Sequence, residues 1–148
     1  MVTQPGAMSV LLTRELENRL DELPALLDAI EGLATTHSWS DQFRTHVLLV
    51  VEELVVNVIS YGGRGTDDGW VKVEMEDGGD SLMITISDNG KAFDPFAQAD
   101  VPDIDLDLDS REIGGWGVHF VREMTDAQLY ERIGESNRVS LRKRWDSA

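Results

Sequence analysis

Apolar residues in the first half of the chain recur at the spacing of helix faces. From Leu16 to about Ala34 they stand three or four positions apart, as on one side of a helix. Because Pro24 lies inside this stretch, the pattern fits a short strand over residues 8–14, a loop, and a helix that starts near Pro24. A second, longer helix is predicted next, with an apolar stripe formed by Phe43, Val47, Val50, Val51, Leu54 and Val58.

The boundaries of this longer helix and of the later elements follow from caps and turns. Ser40 is expected to cap the helix, which should run to Tyr61 and stop at the glycines 62–63. The last two strands flank a predicted turn over residues 134–137. The elements predicted for the second half are strands over 70–75 and 82–87, a helix over 115–125, and strands over 127–133 and 138–144.

This order of elements predicts the fold class. Strands and helices alternate as β-α-α-β-β-loop-α-β-β, which favours a two-layer α/β sandwich. We expect one mixed, mostly antiparallel sheet with three helices packed on one face. The whole chain is then a single domain of 148 residues, an ordinary size for one core.

Residues 94–112 differ in composition from the rest. Arg111 is the only base in this segment, and the acids around it are Asp94, Asp100, Asp103, Asp105, Asp107, Asp109 and Glu112. Pro95 and Pro102 interrupt it further. Such a stretch predicts a long mobile loop, and loops of this length inside a domain are usually functional lids or disordered segments.

Composition and charge remove several classes of function. The chain has no cysteine, which excludes disulfides, iron–sulfur ligation and thiol catalysis, and its three histidines share no metal-ligand spacing. The formal charge of −15, from 28 acids against 13 bases, argues against a nucleic-acid-binding surface. It fits basic protein partners or the handling of Mg²⁺, and it also fits acidity that only keeps the protein soluble. No apolar run reaches the roughly 20 residues of a membrane span and no signal peptide is recognised, so we expect no membrane association and a cytoplasmic location.

Three short segments carry candidate chemistry. Glu53 and Asn57 are four residues apart on the long helix and share one face beside the apolar stripe. The amide oxygen of Asn57 is a suitable ligand for Mg²⁺, and Glu53 could act as a general base on a hydroxyl or water. An ordinary solvated helix face would also account for the pair.

The second segment begins at Asp88. This residue has the same strand parity as Leu82, Ile84 and Ile86, so its carboxylate continues an apolar face and requires a hydrogen-bond donor. The exocyclic amino group of adenine is such a donor, while an Asp-Asn-Gly turn that Asp88 caps itself is the alternative. Gly90 allows close approach of the backbone.

The third segment, Gly114-Gly115-Trp116-Gly117, opens a helix after the acidic loop. Free amides at a helix start attract anions, and glycines allow phosphate oxygens to approach, although a hinge for the loop is the alternative. The segment matches neither a Walker A loop nor a Rossmann fingerprint. Together, the three segments supply what a purine nucleotide and its magnesium ion need.

The three segments resemble the N, G1 and G2 boxes of the GHKL ATPase superfamily, which includes gyrase, Hsp90, histidine kinases and MutL. Residues 88–95 and 114–121 are most similar to its small single-domain branch, the bacterial anti-sigma-factor serine/threonine kinases. The resemblance covers about residues 8–145 and implies the Bergerat, or histidine-kinase-like ATPase, fold.

The resemblance also implies a role for each matching residue. Asn57 would hold Mg²⁺ and Glu53 would be the catalytic base, while Asp88 would bind adenine. The implied contacts of the nucleotide are completed by Gly90, Phe93, Arg111, Gly115, Gly117 and Val118, under a lid spanning about 94–114.

Three functions follow from the resemblance and the residues. The first is an ATP-dependent kinase that phosphorylates a STAS-like anti-sigma-factor antagonist and binds a sigma factor or similar regulator in a partner switch. The second is a regulator whose partner affinity depends on nucleotide without catalysis. The third is a detached catalytic domain of a histidine kinase. The resemblance also suggests dimerisation through the surface of the first strand.

Overall fold

The computed structural model describes residues 9–17, 19–62, 69–98 and 113–145, with the side chains of 61–62, 98 and 113–117 excepted. The elements in chain order are β1 (Ser9–Glu17), a 3₁₀ turn (Leu20–Glu22), α1 (Leu23–Thr36), α2 (Asp41–Asn57), a π-helical turn (Val58–Gly62), β2 (Trp70–Asp77), β3 (Ser81–Asp88), α3 (Pro95–Gln98), α4 (Ile113–Met124), β4 (Ala127–Ile133) and β5 (Ser136–Arg144).

The five strands form one sheet in the order β1-β2-β3-β5-β4, and each neighbouring pair is antiparallel. The predicted α/β sandwich is confirmed, but the expected mixed character of the sheet is wrong for the described strands. The connections explain the difference. Turns join β2 to β3 and β4 to β5, and β5 lies between β3 and β4, antiparallel to both.

One face of the sheet and the helices form a single hydrophobic core. Alternate strand residues point into it: Leu12 and Leu16 from β1, Val71, Val73 and Met75 from β2, Leu82, Ile84 and Ile86 from β3, and Val139 and Leu141 from β5. The helices add Leu26 and Ile30 from α1, Val47, Val50, Val51 and Leu54 from α2, and Val121 from α4. Helices therefore cover one face, as predicted.

The helix starts agree with the sequence signals, while the first strand is longer than expected. Ser40 caps α2, and its side chain accepts a hydrogen bond from the Phe43 amide at 3.0 Å. Pro24 lies in the first turn of α1, as predicted. Leu16, which the spacing had joined to the helical stretch, belongs to β1 and pairs with Val71. Leu16 lies four residues after Leu12, which is an even number, so both side chains lie on the same face of the strand and in the core.

The acidic segment begins with packed structure rather than loop. Asp94 Oδ1 accepts hydrogen bonds from the amides of Phe96 and Ala97, at 2.9 and 3.3 Å, and so starts the short helix α3. Phe96 packs against the core, and Arg122 of α4 donates to its carbonyl and lies over its ring. The prediction of a continuous loop from residue 94 is therefore wrong for 95–98, and residues 99–112, with Arg111, lie outside the described residues. In the described parts of the chain, none of the helices combines the length and the apolar character that crossing a membrane requires.

Candidate functional site

Glu53 lies on α2 at a cleft between α2 and α4. The cleft has a volume of about 90 Å³ and is lined by Leu49, Val50, Glu53, Phe120, Val121 and Met124. Glu53 Oε2 is buried there, and no hydrogen-bond donor among the described residues reaches it. Burial, with a smaller contribution from the neighbouring charge of Glu52, raises the pKa of the Glu53 carboxyl. Burying a charged carboxylate without a hydrogen-bond donor costs free energy. Because protonation removes this charge, such a carboxylate accepts a proton readily.

The two helices that border this cleft run antiparallel. At one end, Lys143 Nζ contacts His46 Nδ1 of α2 at 3.4 Å and donates to the Met124 carbonyl of α4 at 2.7 Å. Further along, Glu53 of α2 shares the cleft with Phe120, one turn nearer the start of α4. If the two helices continue in these directions, we expect the last turn of α2, which ends at Asn57, to approach the first turn of α4. The side chain of Asn57 is buried, with 4% of the residue exposed.

Asp88 ends β3 on the inner face of the sheet, as strand parity predicts. Only 4% of the residue is exposed. Its Oδ1 accepts hydrogen bonds from the Gly90 amide at 2.8 Å and from Asn137 Nδ2 at 3.0 Å. Burial raises the pKa of the Asp88 carboxyl, and these two hydrogen bonds and the charge of Arg132 oppose that shift. Both hydrogen bonds from described residues end on Oδ1, so Oδ2 remains as the acceptor for a further donor.

Asn137, which our sequence-based reasoning missed, is paired with Asp88 across β3 and β5. The sequence predicts a turn over residues 134–137, but β5 begins at Ser136, and Asn137 shares the inner face with Val139 and Leu141. The parity that identified Asp88 would also have identified Asn137, had the strand been extended by two residues. Two more polar groups that our reasoning missed, Tyr130 and Arg132, come from β4.

These side chains hold the segment that follows Asp88. Asn137 Nδ2 donates to the Lys91 carbonyl at 2.8 Å, and its Oδ1 accepts from the Phe93 amide at 3.3 Å. Arg132 Nη1 donates to the Gly90 carbonyl at 2.7 Å. The backbone from Gly90 to Phe93 is thus fixed against the β4–β5 hairpin, next to the free oxygen of Asp88.

The remaining predicted residues lie on or before α4. Gly115 is in the first turn of α4, where backbone amides lack helical partners, Gly117 follows in the second turn, and Val118 is buried with 1% exposed. Arg111 lies outside the described residues. The structure therefore brings Asp88, Gly90 and Phe93 together directly, and it places Glu53 at the cleft between α2 and α4. No cluster of three or more acidic or histidine side chains suited to a metal occurs in the described ranges.

Comparison with known proteins agrees with this architecture. Residues 16–143 match the family described as the histidine kinase-like ATPase domain. The chain is 27% identical over 112 residues to the serine/threonine-protein kinase BtrW of Bordetella bronchiseptica, covering 76% of this chain and 78% of BtrW. It is 30% identical over 112 residues to the serine-protein kinase RsbW of Listeria monocytogenes, covering 73% of this chain and 71% of RsbW.

Two solved structures have a similar fold. The crystal structure of the RsbU and RsbW domains of Rv1364c from Mycobacterium tuberculosis superposes with a TM-score of 0.62 at 10% identity, covering 93% of this chain and 33% of that one. This chain thus corresponds to about a third of that protein. The histidine kinase domain of the blue-light activated histidine kinase of Erythrobacter litoralis gives a TM-score of 0.54 at 16% identity, over 81% of this chain and 61% of that one.

The sequence match extends over nearly the whole described fold, from the end of β1 to β5. The predicted membership of the GHKL ATPase superfamily is therefore confirmed. The chain belongs to the histidine kinase-like ATPase domain family, in the anti-sigma-factor kinase branch of the GHKL superfamily.

Proposed function

We propose that this chain binds Mg²⁺-ATP and transfers the γ-phosphoryl group to a serine or threonine hydroxyl of a small regulatory protein, a STAS-like anti-sigma-factor antagonist. The observation that carries the kinase assignment is Glu53, whose buried Oε2 has no donor among the described residues and whose carboxyl pKa is raised. Such a group is suited to receive a proton from an attacking hydroxyl. The names of the relatives BtrW and RsbW support the same assignment.

Each group in the proposed site has a separate task. Asp88 Oδ2 would accept a hydrogen bond from the amino group of adenine, and Gly90 and Phe93 would shape the surrounding pocket. The first-turn amide of α4 at Gly115 would donate to phosphate oxygens, and Gly117, which has no side chain, would let them approach. We further assign Val118 and Arg111 to nucleotide contacts, as the family resemblance implies.

The chain's residues also fit a magnesium ion. Mg²⁺ in kinase sites takes one or two protein ligands and completes its shell with phosphate oxygens and water. Asn57, a buried amide at the end of α2, would hold it. Bound Mg²⁺ supplies charge neutralisation to the phosphates during transfer. Glu53, one turn earlier on the same helix face, would accept the proton of the substrate hydroxyl.

The proposed partners follow from the same assignment. ATP-bound protein would hold a sigma factor or similar regulator in the cytoplasm, and phosphorylation of the antagonist would end its competition for that protein. A second copy of the chain is a further candidate partner.

The kinase assignment is tested by incubating the protein with γ-labelled ATP, Mg²⁺ and a small antagonist-like protein encoded beside its gene. We expect labelled phosphoserine or phosphothreonine with wild type and with the matched control Glu52→Gln, whose carboxylate is exposed. Glu53→Gln should transfer at least 100-fold more slowly, because removal of a general base typically costs 10²–10⁴-fold. Asn57→Ala should lose the stimulation of ATP binding by Mg²⁺. No transfer by wild type, or full transfer by Glu53→Gln, would contradict the kinase assignment.

A non-catalytic regulator is the second candidate. It is favoured by the fact that the contacts fixing Asp88 come from β3–β5 and do not involve Glu53. Nucleotide could therefore bind without the catalytic base. If Glu53→Gln retains ATP-dependent partner binding in a pull-down and wild type transfers no phosphate, this function replaces the kinase. Acid-labile phosphohistidine on a partner would instead indicate a histidine-kinase catalytic domain.

A further inference from the structure

Asn137 uses all of its hydrogen-bonding capacity inside the protein. The residue is 3% exposed. Its two amide hydrogens go to Asp88 Oδ1 and to the Lys91 carbonyl, and its Oδ1 accepts from the Phe93 amide, from the Tyr130 hydroxyl and from Arg132 Nη1 at 3.2 Å. A flipped amide would direct its hydrogens at these three donors, so the side chain has one stable orientation.

This orientation determines which atom of Asp88 is available. Oδ1 is occupied by the Asn137 amide and by the Gly90 amide, and together they fix the plane of the carboxylate. Oδ2 then points away from both donors as a pure acceptor. Adenine presents an amino donor at its 6-position, whereas guanine presents a carbonyl oxygen that a carboxylate repels.

We propose that Asn137 is a positioning residue for nucleotide recognition. It fixes Asp88 so that Oδ2 accepts the 6-amino group of adenine, and it acts through Asp88 rather than through contact with the base. Tyr130 and Arg132 of β4 hold the Asn137 amide in turn, so the β4–β5 hairpin sets the selectivity of the pocket for the base. This proposal rests on the nucleotide site of the proposed function and deepens it.

The first experiment isolates the hydrogen bond to the amino group. Binding of ATP and of purine riboside triphosphate, which lacks only the 6-amino group, is measured by calorimetry with Mg²⁺ for wild type and Asn137→Ala. A hydrogen bond to a charged acceptor predicts that wild type prefers ATP by roughly 10- to 100-fold. In Asn137→Ala this preference should fall to less than about a third of its wild-type value. If Asn137 were merely structural, both ligands would weaken equally and the preference would persist, which would overturn the proposal.

The second experiment replaces the amide of Asn137 with a carboxylate of nearly the same shape, which removes the donor to Asp88 and adds a negative charge. Asn137→Asp places a carboxylate opposite Asp88, where the shared site can hold a proton that restores the missing donor. We expect ATP binding by this variant to be much weaker than wild type at pH 8 and to strengthen as the pH is lowered toward 6. Wild type should lack this strengthening, because its Asn137 amide already donates to Asp88 Oδ1 and carries no group that needs a proton to do so.

The groups around Asp88 and one control variant decide how the difference in ATP binding between Asn137→Asp and wild type is interpreted. Among the described groups, the positive charge that acts on Asp88 is that of Arg132. Lys91 contributes its carbonyl to the network, and Tyr130 contributes its hydroxyl. The matched control is Asn89→Asp, which adds the same charge next to Asp88 and keeps the oxygen that accepts the Trp70 amide at 2.9 Å. This control should bind ATP within about threefold of wild type. Equal ATP affinity of Asn137→Asp and wild type at pH 8 would overturn the proposal.

The outcomes separate this proposal from the kinase assignment. A wild type that prefers ATP but transfers no phosphate leaves the Asn137 proposal testable and removes only the kinase. A wild type without preference for ATP over purine riboside triphosphate overturns the role of Asp88 and with it the role of Asn137. Urea denaturation of Asn137→Ala and Asn137→Asp verifies that each binding measurement is made on folded protein.

Discussion

Replacing Glu53 with glutamine should stabilise the protein while it removes the proposed catalytic base. The buried Oε2 of Glu53 has no donor among the described residues, and such a buried polar group costs about 1–3 kcal/mol, and more when it is charged. The glutamine amide is also without a partner there but carries no charge, so the substitution removes the part of this cost that is due to charge. Because Glu53 is only partly buried, we use the low end and expect the free energy of unfolding to rise by about 1 kcal/mol near pH 8. For a chain of this size, that corresponds to an increase in Tm of roughly 3 °C.

The pH dependence of the free energy of unfolding is an independent test of whether the charge of Glu53 destabilises the folded state. Burial raises the pKa of folded Glu53 above its ordinary value of 4.5, so between these two pKa values the folded state holds more protons than the unfolded state. Wild-type stability therefore falls as the pH rises from about 4.5 through the folded pKa, and the advantage of Glu53→Gln grows over the same window. At lower pH, where the carboxyl is protonated in both states, the part of the advantage due to charge should disappear.

The measurement is urea denaturation of wild type, Glu53→Gln and Glu52→Gln without nucleotide, at several pH values between 4 and 8. A pH-dependent difference of about 1.36 kcal/mol between wild type and Glu53→Gln corresponds to a tenfold difference in proton affinity of Glu53 between the folded and the unfolded state. The exposed Glu52→Gln control should change stability by no more than about 0.5 kcal/mol. A Glu53→Gln protein less stable than wild type at pH 8, or a difference independent of pH, would refute this account of Glu53.

Three further substitutions test other parts of the structure. Asp88→Asn should weaken ATP binding at least tenfold in calorimetry, because an amide hydrogen would face the adenine amino group; unchanged affinity would exclude Asp88 from the site. Ser40→Ala removes the cap that accepts the Phe43 amide and should lower the free energy of unfolding by about 1 kcal/mol in urea denaturation, with no change in ATP affinity. Arg122→Ala should speed hydrogen exchange of the amides in α3, since it removes the guanidinium that holds Phe96; equal exchange in the variant and wild type would show that α3 is held by other contacts.

The sequence predicted best where one physical rule acted alone. Ser40 followed by a helical stripe located the start of α2, and strand parity placed Asp88 on the inner face. The sheet was less predictable, because strand order depends on pairings between distant segments. Asp88 and Asn137 pair across β3 and β5, and no local pattern contains that information.

The candidate site was predicted only in part for the same reason. Helix periodicity predicted the shared face of Glu53 and Asn57, and strand periodicity predicted the inward direction of Asp88. The groups that fix Asp88 were missed because they come from β4 and β5, where Asn137 resembled a turn residue and Arg132 a solvated charge. The start of α3 was missed because Asp94 and Pro95 looked like loop residues, although an Asp followed by Pro also begins a helix.

Because Asp88 pairs with Asn137, the proposed nucleotide pocket forms only when β3 and β5 are paired in the native register. A slip of one residue between β3 and β5 would move the Asn137 side chain to the outer face and leave Asp88 without its amide donor. A chain with the wrong register would therefore lack the proposed adenine site, and nucleotide would not stabilise it. Because a ligand stabilises only the state that binds it, ADP present during refolding should enrich chains whose central strands are paired in the native register.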